Sequence, residues 1–99
     1  MKQVMVRYRV KPGRAAENEA LVRAVYEELR QTQPAGIRYA TFKLDDGVSF
    51  VHIASVETGD GRSPLADLTA FREFQKGIAD RCDDPPVVAE LHEVGSFGF

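Results

Sequence analysis

Gln3-Val4-Met5-Val6-Arg7-Tyr8-Arg9-Val10-Lys11 alternates apolar and mainly basic side chains and then runs into Pro12-Gly13. Successive side chains of a strand point to opposite faces, so Val4, Val6, Tyr8 and Val10 share one face while Met5, Arg7, Arg9 and Lys11 share the other. The first face is ready to receive helices, and Pro12-Gly13 delivers the chain into one. From Ala15 to Gln31 there is no proline or glycine, and Leu21, Val22, Val25, Tyr26 and Leu29 recur at three- and four-residue spacings. Glu17, Glu19, Arg23, Glu27 and Arg30 line the rest, which makes an amphipathic helix. Gln33-Pro34-Ala35-Gly36 ends it, because proline cannot continue the hydrogen-bond ladder and glycine accepts the backbone angles of a helix exit.

Further along, Ile37 to Leu44 and Val48 to Val56 are rich in β-branched and aromatic residues, and Asp45-Asp46-Gly47 between them is a hairpin signal. The second of these strands places Val48, Phe50, His52, Ala54 and Val56 on one face and Ser49, Val51, Ile53 and Ser55 on the other. Thr58 to Pro64 reads as a loop. Ser63-Pro64 suits a helix start, Thr69 a cap, and Phe71, Phe74, Ile78 and Cys82 an apolar helical stripe, with Gly77 permitting close packing. Asp83-Asp84-Pro85-Pro86 breaks that helix, and Val87 to Val94 is a final strand. The order strand, helix, strand, strand, helix, strand predicts an α+β, ferredoxin-like sandwich, a four-stranded antiparallel sheet with two helices on one face. Within it the first strand is expected beside the third and parallel to it.

Ninety-nine residues make a single domain over 1–99, and a chain this short buries only about 60 to 70% of its unfolded surface. Met5, Val51 and Ile53 fall on the face without helices, where a solvated antiparallel sheet would be polar, so a second copy is expected to cover it. The predicted homodimer interface is Met5, Arg7, Arg9, Val51 and Ile53. Arg7 and Arg9 need an acidic partner there, for which Glu90 is the candidate. A net charge of -2 from 13 basic and 15 acidic residues offers no field to attract nucleic acid or an acidic membrane. No apolar run approaches the roughly 20 residues needed to cross a bilayer. The single Cys82 cannot form an internal disulfide and reads as a small buried hydrophobe, which fits a reducing, cytoplasmic setting. His52 and His92 stand on different strands with no thiolate or carboxylate at ligand spacing, so no metal site is expected. The tail from Gly95 to Phe99 carries two aromatics suited to packing on a neighbouring surface.

Four stretches carry a family likeness: Arg9-Val10-Lys11-Pro12-Gly13, Gln33-Pro34-Ala35-Gly36-Ile37-Arg38-Tyr39, Phe71-Arg72-Glu73-Phe74 and Pro86-Val87-Val88. Through them the chain resembles, over nearly its whole length, the dimeric α/β-barrel proteins of the antibiotic biosynthesis monooxygenase type. The resemblance implies a homodimer with two sheets face to face and a ligand pocket in each subunit between sheet and helices. It also implies an oxygenase acting on aromatic substrates without metal or flavin, hence no cofactor. The haem-degrading branch of that family uses an asparagine, a tryptophan and a histidine where this chain aligns Val6, Val56 and Gln75, and the chain has no tryptophan, so haem is not expected.

On this frame the pocket is expected to be lined by Val6, Tyr39, Phe50, Val56, Phe71 and Phe74. His52 faces it and has two readings, a general base with a pKa near working pH or a core histidine held by hydrogen bonds. Tyr8, on the matching face of the first strand, is either a donor to a substrate carbonyl or phenolate or a core tyrosine with its hydroxyl at the rim. Two functions follow. The first is a cofactor-independent monooxygenase-like protein holding a small aromatic, with His52 as proton acceptor and Tyr8 as orienting donor. The second is a non-catalytic ligand-binding or interaction protein of the same fold. An open pocket favours the first, a filled core the second.

Overall fold

The computed structural model describes residues 2–60 and 62–99. The first strand, β1 (Lys2–Val10), is followed by helix α1 (Ala15–Thr32), the hairpin β2 (Ile37–Lys43) and β3 (Ser49–Val56), and a short 3-10 turn (Pro64–Asp67). Then come α2 (Thr69–Lys76), a single turn α3 (Ile78–Arg81), and β4 (Cys82–Leu91). The four strands form one sheet in the order β2-β3-β1-β4. This is the predicted ferredoxin-like α+β arrangement. The core lies on one face, where Tyr8, Val10 and Phe50 from the sheet meet Val22 and Val25 of α1 and Leu65, Leu68 and Phe74 of the second helical segment.

One detail of the expectation is reversed. β1 runs antiparallel to β3, not parallel, with Val6 opposite His52 and Tyr8 opposite Phe50. The cause is topological: each helix crossover returns its following strand parallel to the one before it, and the hairpin then inverts direction, so the two central strands must oppose.

The second helical segment also differs from its reading. Ser63 caps the 3-10 turn, its hydroxyl accepting from Leu65 N, but Thr69 does not cap α2. The cap position is Leu68, which offers no side-chain acceptor. The orphan amides of Thr69 and Ala70 instead donate to the Glu28 carboxylate of α1, at 3.2 and 2.8 Å. A carboxylate at a helix N-terminus satisfies donors and complements the dipole, and here it also ties the two helices together. The helix then divides at Gly77, and Cys82 is the first residue of β4 rather than the last of a helical stripe. A side chain at Gly77 would place its Cβ 3.1 Å from Arg81 Nη1, so the close packing anticipated there is the guanidinium.

β4 begins five residues before the expected Val87 and passes through Pro85 and Pro86. Proline is tolerated because β4 is an edge strand whose outward amides need no partner. The pairing with β1 slips between Arg7 and Val10. At the end of α1 the left-handed residue is Gln33, at φ 45°, whose N–H donates to Leu29 O. Gly36 supplies a second left-handed turn at φ 82°, at the entry to β2.

Candidate functional site

Between the sheet and the second helical segment lies a cavity of about 370 Å³, lined on the sheet side by Val4, Val6, Tyr39, His52, Ala54, Val56 and Val88. Leu65, Phe71, Phe74, Gln75 and Ile78 close it from the helical side, and Lys2 and Ser63 stand among its polar lining. The wall is otherwise apolar, which suits a ligand held by contact area and oriented by few polar groups.

Of the residues expected to line the pocket, Val6, Tyr39, Val56, Phe71 and Phe74 do so, and His52 joins them. Phe50 does not. It sits one pleat deeper, stacked on Tyr8 at 5.6 Å and 1% exposed beneath α1. Tyr8 is also outside the lining: it is 2% exposed, and its hydroxyl is 2.7 Å from His52 Nε2. Any influence of Tyr8 on a ligand therefore passes through the imidazole. Val6, Val56 and Gln75, the positions aligned with the haem-degrading residues, all line the cavity.

His52 is the hub of a buried hydrogen-bond chain. On its other side Nδ1 lies 2.6 Å from Tyr39 Oη and 3.0 Å from Thr41 Oγ1, and Thr41 Oγ1 is 2.8 Å from Tyr26 Oη. Behind Tyr8, Asn18 Nδ2 donates to the tyrosine oxygen at 2.9 Å. Arg81 Nε donates in turn to Asn18 Oδ1 at 3.2 Å, while Arg81 Nη2 donates to Phe74 O at 2.6 Å. The guanidinium also stacks 5.3 Å from the Phe74 ring centroid, a favourable place for a desolvated cation.

Burial draws the His52 pKa down to about 4, because the imidazolium would be taken out of water. It pushes the Tyr8 and Tyr39 hydroxyls well above the ordinary tyrosine value for the corresponding reason. At neutral pH the chain is thus an uncharged imidazole between protonated tyrosines, with one cation at its far end. Both ring nitrogens already face protein hydroxyls, and of the residues that carry those hydroxyls Tyr39 is the one that lines the cavity beside His52.

Asn18 and Arg81 were not singled out from the sequence, yet a signal exists. Asn18 falls four residues before Val22 on the buried stripe of α1, and Arg81 falls seven after Phe74 and three after Ile78. A polar residue occupying an apolar register position is the mark of a buried partner.

Met5, Arg7, Arg9, Val51 and Ile53, the residues expected at an interface, lie together on the bare face of the sheet. Arg9 reaches Asp84 at 3.1 Å with both side chains largely exposed, so the acidic answer is in the same chain and contributes little. Glu90 is opposite Val4 in the register, which puts it on the helix-side face. It cannot serve Arg7 or Arg9.

No family model matches the chain, and no curated protein matches it in sequence. Solved structures do match. An antibiotic biosynthesis monooxygenase superposes with a TM-score of 0.77 at 19% identity, covering 96% of this chain and 100% of the other. A candidate antibiotic biosynthesis monooxygenase from Nitrosomonas europaea follows at 0.76 and 15% identity, covering 98% and 93%. A single-site variant of SnoaB, a cofactor-independent oxygenase from Streptomyces nogalater, matches at 0.70 and 16% identity, covering 99% and 97%. The chain has the fold of the antibiotic biosynthesis monooxygenase-type structures from end to end. At these identities the likeness is one of architecture, and the chemistry has to be argued from the cavity.

Proposed function

We propose that the protein is a cofactor-independent monooxygenase-like protein that takes a small, electron-rich hydroxyaromatic into the cavity between sheet and helices. The observation that carries this reading is the cavity itself: an apolar slot of about 370 Å³ with the Tyr39 and His52 pair set into its sheet wall. Such a slot orients a flat ring by its single oxygen. In this reading the substrate supplies the electrons that reduce dioxygen and is itself oxidised to a quinone, one oxygen atom entering the ring while the other takes two hydrogens from the substrate and leaves as water. His52 is the centre of the polar wall, Tyr39 its contact with the ligand, and Tyr8 holds the imidazole from behind. Val6, Val56, Phe71 and Phe74 provide the ring contacts. The working unit is a homodimer paired through Met5, Arg7, Arg9, Val51 and Ile53, and the buried Cys82 suits a reducing, cytoplasmic setting.

The test is oxygen uptake with a panel of mono- and bicyclic phenols under isotope-labelled dioxygen. Incorporation of one labelled atom, lost in Tyr39→Phe and His52→Ala, supports the proposal. A second reading, a ligand-binding protein without turnover, is favoured by one observation: each nitrogen of His52 already bonds a protein hydroxyl, at 2.7 Å for Nε2 and 2.6 Å for Nδ1. Saturable phenol binding with no oxygen uptake would establish that alternative.

A further inference from the structure

The direction of every hydrogen bond in the buried chain follows from its far end. A guanidinium only donates, so the amide oxygen of Asn18 must face Arg81 Nε and the amide nitrogen must face Tyr8. An amide nitrogen only donates as well, so Tyr8 Oη accepts from Asn18. Its own hydrogen then has one acceptor within reach, His52 Nε2 at 2.7 Å. Were Nε2 protonated instead, two donors would converge on Tyr8 Oη and the tyrosine hydrogen would be buried without a partner, a costly arrangement. His52 therefore accepts at Nε2 and carries its hydrogen on Nδ1. That hydrogen goes to the nearer oxygen, Tyr39 Oη at 2.6 Å, so the Tyr39 hydrogen is not used on His52 and can pass from its neighbour Thr41 to a ligand oxygen in the cavity that Tyr39 lines.

We infer that Arg81, acting through Asn18, Tyr8 and His52, sets the polar wall of the cavity as a hydrogen-bond donor that selects the anionic oxygen of a phenolate or enolate ligand. The inference rests on the proposed hydroxyaromatic reading and deepens it: the site holds the ionised substrate rather than ionising it. The charges around the chain agree. The ionisable groups facing it are Tyr8 of β1, Tyr26 of α1, Tyr39 of β2, Arg81 of α3 and Cys82 of β4, with Glu17 of α1 near Arg81 at the far end and Lys2 at the cavity. Among the described residues no carboxylate lines the cavity, so nothing there opposes an anion. Burial keeps the imidazole neutral, consistent with a chain whose one cation is remote. Arg81 and Asn18 are positioning residues in this arrangement.

The experiment has two parts. Nitrogen-15 NMR of the wild-type protein reads the His52 tautomer directly, and protonated Nδ1 with unprotonated Nε2 is the expected result. Titration of 4-nitrophenol by absorbance then compares its ionisation free and bound. Preference for the phenolate of about tenfold or more should lower the bound pKa by about one unit. Asn18→Asp keeps the shape but presents only acceptors, so Tyr8 should turn its hydrogen toward position 18, His52 should move its hydrogen to Nε2, and the phenolate preference should vanish. Tyr39→Phe should lose the preference with the tautomer unchanged. A wild-type His52 protonated at Nε2, or binding of phenol and phenolate with equal affinity, overturns the inference and leaves the hydroxyaromatic pocket standing. Failure of both forms to bind overturns the inference and the pocket reading together.

Discussion

Desolvation at His52 turns a side chain that normally titrates near neutrality into a fixed neutral bridge, and that change is measurable as stability. The folded-state pKa is about 4 against an ordinary value of about 6.5. Between those values the unfolded chain binds more protons than the folded one, so stability rises with pH across the window. The contribution is complete above about pH 6.5 and is lost as pH falls toward 4, and it makes the protein about 2 kcal/mol less stable at pH 5 than at pH 7. The carboxylates of Glu17, Glu19, Asp46 and Asp60, held below their usual range by hydrogen bonds from Arg14, Lys43, Ser49 and Arg62 respectively, act at lower pH. Urea denaturation at pH 7 and pH 5 should show the difference in the wild type and its loss in His52→Gln, which retains polar atoms but cannot titrate. The same slope in both proteins would place the titrating group elsewhere.

Elements are joined here by residues whose sequence context conceals their job. Strand alternation in β1 and β3, the stripe of α1 and the hairpin at Asp45-Asp46-Gly47 are local patterns, and they were legible because each depends on neighbours in the chain. The Glu28 cap on α2, the Arg81 and Asn18 contact and the Arg9 and Asp84 pair join residues 41 or more positions apart, and no local pattern encodes them. The strand character of Pro85-Pro86 was hidden for a related reason, since only the sheet order makes β4 an edge. Glu28→Ala should cost about 1 kcal/mol by removing the acceptor for two orphan amides, and Glu28→Gln distinctly less because one acceptor oxygen survives. Equal losses in thermal or urea unfolding would mean that charge rather than capping matters. Gly36 makes a sharper demand: besides its φ of 82°, an added Cβ would lie 3.0 Å from the Glu57 backbone oxygen and 3.0 Å from Thr58 Cγ2. Since backbone cannot move aside cheaply, Gly36→Ala should destabilise the protein by about 2 kcal/mol, whereas Gly47→Ala, with open space around it, should cost only the φ strain.

At the scale of the molecule the unresolved demand is the sheet face away from the helices. The registers assemble that face in rows: Ala40, Ile53, Met5 and Ala89 lie across the strands in one, and Phe42, Val51, Arg7 and Val87 in the next. Phe42, Ile53 and Val87 are 56%, 37% and 64% exposed, and they stand within a contiguous apolar field crossed by a single basic side chain. More polar groups bound it, with Arg38, Ser55 and Gln3 beside an edge Leu91 in the row beyond Ile53, and Ser49, Arg9 and Asp84 beyond Val51. An apolar centre with a polar rim is the anatomy of an interface, and a closed twofold pairing would bring the same rows together. Such pairing also compensates for the limited core of a short chain. The expected outcome is a dimer at micromolar concentration by light scattering, converted to monomer by Ile53→Glu, because a carboxylate buried at the centre without a partner is costly. The exposed variant Val94→Glu, beyond the end of β4, should remain dimeric. A wild-type monomer at that concentration would refute the pairing, and a dimer indifferent to Ile53→Glu would move the interface to another surface.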